Sequence, residues 1–279
     1  MAAGRIHRAV SADGTEIAGR VHGQGPPLVL VHGGPHDGDL AWEALVPHLT
    51  DGFTCYLPSI RGRGLSADNP DLSPLRLQED ISAFVDSIGE PVCLVGWSMV
   101  EWTIGTAADS GSVGAVALYE PNVASLLRED DLARMGAAIE QGAAAAAEGR
   151  LVDASRAFHG YVANDDEIAA ARKGEYFERC ASLLPAVQRV FQHGDAYEGP
   201  RGTDPEILGQ VTVPVLLLRG RETRLHRFFA DAVGYIAEAV ADPHVRPPLP
   251  GLGHFAPILE PEPVARELTT FFASLGQPA

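Results

Sequence analysis

Three short segments hold the residue types that acyl-transfer chemistry requires. The first is Leu94-Val95-Gly96-Trp97-Ser98-Met99-Val100, in which an apolar run ends at a serine and gives way to a helix-like stretch. A serine at a strand-to-helix turn is held on a tight bend, with its hydroxyl exposed above the sheet and the following N–H free. The usual spacing is Gly-x-Ser-x-Gly, and here Gly96 is present while Val100 occupies the second glycine position. The second segment is Pro250-Gly251-Leu252-Gly253-His254-Phe255. A histidine in a glycine-rich loop near the C-terminus can swing over the edge of a sheet and take the serine's proton. The third is Val31-His32-Gly33-Gly34-Pro35, directly after a core strand. Its backbone can present the Gly34 N–H to a developing oxyanion, with the Met99 N–H as second donor.

Positioning these groups requires a scaffold, and the apolar pattern supplies one. Arg5–Ser11 and Thr15–Val21 flank Asp13-Gly14 and read as a hairpin. Leu28–Val31, Phe53–Leu57, Val92–Val95, Val113–Tyr119 and Val213–Leu218 are short apolar runs, as expected for strands covered on both faces; a further short strand falls near His244–Arg246. Helix-like segments alternate with them: Trp42–Leu49, Leu77–Ile88, Met99–Ala108, Arg227–Val240 and Pro263–Leu275. Such alternation predicts βαβ units and a mostly parallel sheet. The rhythm breaks over 122–210, which contains helix-like sequence around the alanine run Ala143–Ala147 and no convincing strand. This stretch reads as an inserted helical subdomain that leaves through Gly199-Pro200-Arg201-Gly202.

Taken together, the segments resemble the α/β-hydrolase superfamily over essentially the whole chain. Ile60-Arg61-Gly62-Arg63-Gly64-Leu65-Ser66 is similar to that superfamily's Arg-Gly-x-Gly-x-Ser turn. The resemblance implies an α/β-hydrolase fold: an eight-stranded, mostly parallel sheet with helices on both faces. Residues 1–121 and 211–279 would form the core, and 122–210 a helical lid. It also implies a third catalytic group, an acid that orients His254. Most members carry an Asp three residues after a glycine that follows the seventh strand. Here Leu218-Arg219-Gly220-Arg221-Glu222-Thr223 places Thr223 at that position and Glu222 one residue short. Glu120, in Ala117-Leu118-Tyr119-Glu120-Pro121 after the sixth strand, is the other candidate, and a Tyr-Glu-Pro segment is similar to one found in a group of actinobacterial hydrolases. Glu120 is the favoured acid and Glu222 the alternative.

Several residues depart from the pattern. Ser59 stands where relatives usually have Asp, Val100 where close packing favours glycine, and Glu101 and Trp102 where small or aliphatic residues are usual. Trp97, His36 and Val100 are expected to shape the substrate pocket, and Glu101 to be solvated or paired with the lid. His159, His193 and His226 make no metal-ligand spacing with their neighbours, and no glycine-rich loop is followed by the Lys-Ser/Thr of a phosphate site. No cofactor or metal is expected.

Bulk properties narrow the partners. A net charge of −16, from 21 basic against 37 acidic side chains, argues against nucleic-acid or anionic-membrane surfaces. The segment at the N-terminus lacks the apolar core of a signal peptide, and no apolar stretch approaches the roughly 20 residues that span a bilayer. Cys55, Cys93 and Cys180 have no metal-ligand spacing, Cys55 and Cys93 in apolar strand-like runs read as buried thiols, and the chain reads as a cytoplasmic monomer or homodimer. The expected activity is a serine hydrolase acting on an ester, thioester, lactone or ketone-adjacent C–C bond of a hydrophobic small molecule, in the setting of secondary metabolism. A non-hydrolytic biosynthetic enzyme on the same scaffold and a non-catalytic ligand receptor are the alternatives.

Overall fold

In the computed structural model, which describes residues 4–276, eight strands form one sheet in the order β1-β2-β4-β3-β5-β6-β7-β8. The strands are β1 (Arg5–Val10), β2 (Glu16–Gly23), β3 (Pro27–Val31), β4 (Thr54–Pro58), β5 (Val92–Trp97), β6 (Val113–Tyr119), β7 (Pro214–Leu218) and β8 (Asp242–Val245). The first two pairings, β1 with β2 and β2 with β4, are antiparallel, and the others are parallel. The chain is therefore an α/β-hydrolase-type sheet with an antiparallel edge.

The short apolar runs are strands with two buried faces, and successive side chains divide between them. Leu28 and Leu30 join one apolar cluster, with Cys93, Val95, Trp97, Ala117, Tyr119 and Leu218. Val29 and Val31 join the other, with Leu94, Val116, Leu118 and Leu217. The first layer is covered by α1 (Gly38–Trp42), α10 (Ala256–Leu259) and α11 (Pro261–Ser274), the second by α2 (Pro74–Asp86), α3 (Glu101–Asp109) and α9 (His226–Ala239). This parity decides which residues at the strand ends meet the histidine loop. Trp97 and Tyr119 pair across β5 and β6 and share the first face.

Between β6 and β7 lie α4 (Glu129–Ala147), α5 (Leu151–Gly160), α6 (Asp165–Ala171), α7 (Tyr176–Asp195) and α8 (Pro205–Leu208), with no strand among the described residues. Helix α5 packs between α4 and α7. Two local expectations differ from the structure. The Trp42–Leu49 helix is instead the end of α1 followed by a single 3-10 turn, Val46–His48, around Pro47, which lacks the N–H a continuing helix needs. The helix after Ser98 begins at Glu101, because Ser98 to Val100 form the turn itself. No helix among the described residues is long and apolar enough to cross a membrane.

Candidate active site

The loops after β3, β5, β6, β7 and β8 leave the same edge of the parallel sheet, where chain order reverses about β3, the place at which such sheets form crevices. Ser98 follows β5 and adopts φ 65°. A left-handed conformation costs a non-glycine residue roughly 1–2 kcal/mol. It is held by hydrogen bonds on both sides: Ser98 N–H donates to Tyr119 O at 3.1 Å, and Asn122 N–H donates to Ser98 O at 2.6 Å. Ser98 and Met99 remain half-buried while the strand behind them is fully covered.

Glu120, one residue beyond β6, is the second non-glycine residue with positive φ, at 46°. Its carboxylate is fully buried and collects three donors: Gly220 N at 2.9 Å on Oε1, with Thr223 Oγ1 at 3.1 Å and His254 Nδ1 at 2.8 Å on Oε2. Nδ1 of His254 therefore carries a proton, which in the neutral ring leaves the Nε2 lone pair free. Thr223, at the position where an Asp was expected, acts as a donor to the displaced carboxylate. Glu222 is exposed, and it contributes only backbone contacts, its N–H to Leu252 O and its carbonyl to Asn164 Nδ2. The structure thus brings Glu120 and His254 together and leaves Glu222 apart. No hydrogen bond joins Ser98 to His254 among the described residues, and such bonds are often long before substrate binds.

The His254 backbone is anchored from beneath by the two same-face residues. Trp97 Nε1 donates to His254 O at 3.1 Å, and Tyr119 Oη donates to Gly253 O at 2.6 Å. Phe229 stacks on the imidazole with a centroid distance of 5.4 Å. The loop after β3 lies against the serine turn so closely that a Cβ at Gly33 would meet Trp97 O at 2.3 Å and Met99 N at 3.0 Å. Only glycine fits there. Neither Gly34 N–H nor Met99 N–H donates to a protein acceptor among the described residues. The loop is braced from behind. His32 Nε2 accepts from Ile60 N at 3.1 Å, so its Nδ1 donates to Gly33 O, and burial pushes this imidazole down to about 3. Arg63, 2% exposed, donates from Nη1 to Gly34 O and His36 O, and burial lowers its guanidinium to about 9.

Of the three expected pocket residues, Trp97 lies beside His254, His36 lies against Trp97, and Val100 is elsewhere. The His36 ring stacks on Trp97 at 4.8 Å, and Trp97 sits 5.7 Å from the His254 ring. Val100 is fully buried in the opposite apolar layer with Leu94 and Ile104, which absorbs the branched side chain as core packing. Ser59 Oγ accepts from Gly38 N at 3.0 Å and so retains a local structural task. Glu101 is paired with Arg201 of the exit loop at 3.4 Å; burial raises its carboxyl and the guanidinium opposes that.

Sequence reasoning missed one cluster altogether. His36, His159 and Cys180 have ligand atoms within 4.8 Å of one another. Tyr176 Oη lies between the histidines, 2.7 Å from His36 Nε2 and 3.3 Å from His159 Nε2. Burial keeps both imidazoles neutral, His159 at about 4 and His36 well below the ordinary value, and holds the Cys180 thiol up at about 12. His36 lies more than a hundred positions from the other three, which are split between α5 and α7, so no local spacing could reveal the cluster.

A family model described as the alpha/beta hydrolase family matches residues 28–267, most of the chain. The chain belongs to the α/β hydrolase family. Among curated proteins, it is 32% identical over 98 residues to pyrrolizixenacetamide deacetylase of Xenorhabdus hominickii, covering 35% of this chain and 36% of that protein. It is 39% identical over 79 residues to pimeloyl-[acyl-carrier protein] methyl ester esterase of Stenotrophomonas maltophilia strain R551-3, covering 28% of this chain and 29% of that one. The matched segments thus span about a third of these relatives' length. Among solved structures, the esterase RhEst1 from Rhodococcus sp. ECU1013 superposes with a TM-score of 0.76 at 25% identity, covering 97% of this chain and 99% of that one. An alpha/beta hydrolase from Sphaerobacter thermophilus DSM 20745 gives 0.69 at 24%, covering 95% and 100%.

Proposed function

We propose that this chain is a serine-nucleophile hydrolase that cleaves an ester of a hydrophobic small molecule. The observation that carries the reading is the buried 2.8 Å pair of Glu120 and His254 beside the left-handed turn at Ser98. In this mechanism His254 Nε2 takes the Ser98 proton as Oγ bonds to the substrate carbonyl carbon, and the carbonyl electron pair moves onto oxygen. The N–H groups of Gly34 and Met99 hold that oxyanion, a pair that contributes several kcal/mol in the transition state. Collapse breaks the bond to the leaving alkoxide, which takes the proton from His254. Water, deprotonated by the same imidazole, then releases the acid and restores Ser98. Glu120 stabilises the imidazolium without itself accepting a proton.

The curated relatives named for ester and amide cleavage favour acyl–oxygen or acyl–nitrogen bonds over the carbon–carbon bond next to a ketone. The helical insertion supplies the apolar cover. His159, Tyr176 and Phe177 from it form an aromatic layer with Phe255, the residue after the candidate base. We read this as a lid that admits an apolar acyl or alkoxy group. The test is labelling by an alkyl fluorophosphonate together with turnover of p-nitrophenyl butyrate. The wild type should gain one phosphonyl adduct on the peptide containing Ser98, and Ser98→Ala should lose both the adduct and at least about 10³-fold in kcat/KM. Near-normal turnover of the ester by Ser98→Ala would remove the acyl-enzyme mechanism and favour non-hydrolytic chemistry on this scaffold.

A further inference from the structure

The loop bearing the candidate base is gripped from a third side, by the insertion. Helix α6 starts at a capping box in which Asn164 Oδ1 accepts from Glu167 N and Glu167 Oε2 accepts from Asn164 N, each at 2.9 Å. That leaves Oε1 of Glu167, and it points out of the helix into the core. It accepts from Phe255 N at 2.6 Å. The carboxylate lies flat against Gly253, where an added Cβ would stand 2.4–2.6 Å from its atoms. Glu167 is 8% exposed, a poor location for a carboxylate whose only task is to cap a seven-residue helix. The same helix start also holds the loop on the acid's side. Asn164 Nδ2 donates to Glu222 O at 2.8 Å, and Arg224 Nε donates to Ala163 O at 2.7 Å. Thr223, the donor to Glu120, sits between those two contacts.

We propose that Glu167 is a positioning residue for His254: through it the helical insertion fixes the histidine loop and sets a second carboxylate beside the imidazole. The proposal rests on His254 serving as the base. Its geometric part follows from the hydrogen bond, since Phe255 N–H is the amide next to His254 and is buried with it. Its electrostatic part follows from what faces the imidazole. Glu120 approaches from the end of β6 and Glu167 from α6, while His159 of α5 and Tyr119 of β6 are held neutral by burial. Glu167 in turn faces Glu120, Tyr119 and Tyr176. Burial raises its own carboxyl; the amides of Asn164 and Phe255 and the charge form of His254 favour the anion. An anion near an imidazole favours its protonated form, so removing that charge moves imidazole protonation to lower pH.

Two substitutions separate the parts. Glu167→Gln removes the charge and keeps one acceptor oxygen for Phe255 N, with its NH2 turned toward Asn164 N; Glu167→Ala removes the charge and every acceptor. In Glu167→Gln the acid limb of kcat/KM against pH should move down by about half a unit or more, with kcat near its plateau value within about threefold. In Glu167→Ala kcat should fall about tenfold or more at every pH while KM stays within about threefold, because the loop loses its tether at Phe255 N, keeping those from Trp97 and Tyr119, and substrate contacts do not change. A readout independent of turnover is the NMR titration of the His254 ring, assigned by comparison with His254→Asn. Its midpoint should fall in Glu167→Gln. An unmoved midpoint and an unmoved acid limb in Glu167→Gln, or full kcat in Glu167→Ala, would overturn the proposal. Failure of the serine mechanism instead shows in the wild type, as absence of the Ser98 adduct, and leaves the NMR titration interpretable.

Discussion

Replacing Glu120 by Gln preserves volume and asks what the charge does. In the native site two carboxylate oxygens receive three donors, Gly220 N–H, Thr223 O–H and His254 Nδ1–H. An amide has one acceptor oxygen, and its NH2 must face at least one of those donors. If the oxygen stays with Gly220, the NH2 confronts Nδ1–H, and the imidazole relieves the clash by moving its proton to Nε2. The base nitrogen is then occupied. For a buried acid–histidine pair of this kind, loss of the correct tautomer and of imidazolium stabilisation lowers kcat by about 10³–10⁴, or about 4–5.5 kcal/mol of barrier. Folding stability should fall by only about 1–3 kcal/mol, the cost of a mismatched buried polar group. The assay is kcat/KM for p-nitrophenyl butyrate beside thermal unfolding followed by circular dichroism, with Glu222→Gln as the comparison. Glu222 is exposed and makes only backbone contacts, so its variant should stay within about twofold of wild type. A folded, active Glu120→Gln with an inactive Glu222→Gln would refute the argument.

The buried Arg63 gives a prediction in which activity and stability part. Arg63→Met removes the tether on Gly34 O and His36 O, and also a buried cation whose Nε and Nη2 have no partner among the described residues. It should lower kcat about tenfold or more while leaving the urea midpoint unchanged or raised; unchanged kcat would show that the loop keeps its geometry without Arg63. Asp13 gives a pH prediction. Burial would raise its carboxyl, but hydrogen bonds and charge from the fully buried Arg61 overrule this and hold it well below the ordinary carboxylate range. A depressed folded value contributes stability that is present above the unfolded pKa near 4 and lost as pH falls through the folded one. Asp13→Asn should therefore lower the urea midpoint at pH 7 and narrow the difference between pH 7 and pH 3; an equal loss at both would exclude that linkage.

Local chemistry carried much of the architecture. Runs such as Leu28–Val31 are apolar at every position because parallel strands bury both faces, and that alone predicts the sheet and the alternation around it. Sequence through 122–210 is helix-like with no strand pattern, and among the described residues helices α4 to α8 and no strand lie between β6 and β7. Boundaries were less legible where one residue dominates, as at Pro47 and in the turn from Ser98 to Val100. Val100 shows a further limit. Its position beside the serine suggests the pocket, yet strand and helix geometry send it into the opposite core layer.

What the sequence determined by itself is the set of reactive types and their order along the chain: a serine after one strand, a glycine-rich loop after another, a histidine near the end and two competing glutamates. Tertiary structure decided which of those glutamates reaches the histidine. Glu120 and Glu222 are the same residue type and both follow strands; only the left-handed turn at Glu120 and the donors Gly220 and Thr223, a hundred residues away, direct one carboxylate to Nδ1. Structure alone also showed that His36, Tyr176 and His159 meet, and that Glu167 of the insertion holds the amide next to His254. The reason is the range of the forces. Backbone preference and hydrophobic period act over a few residues and can be read from a string, whereas a buried hydrogen bond is decided by whichever distant segments the packed core brings within 3 Å.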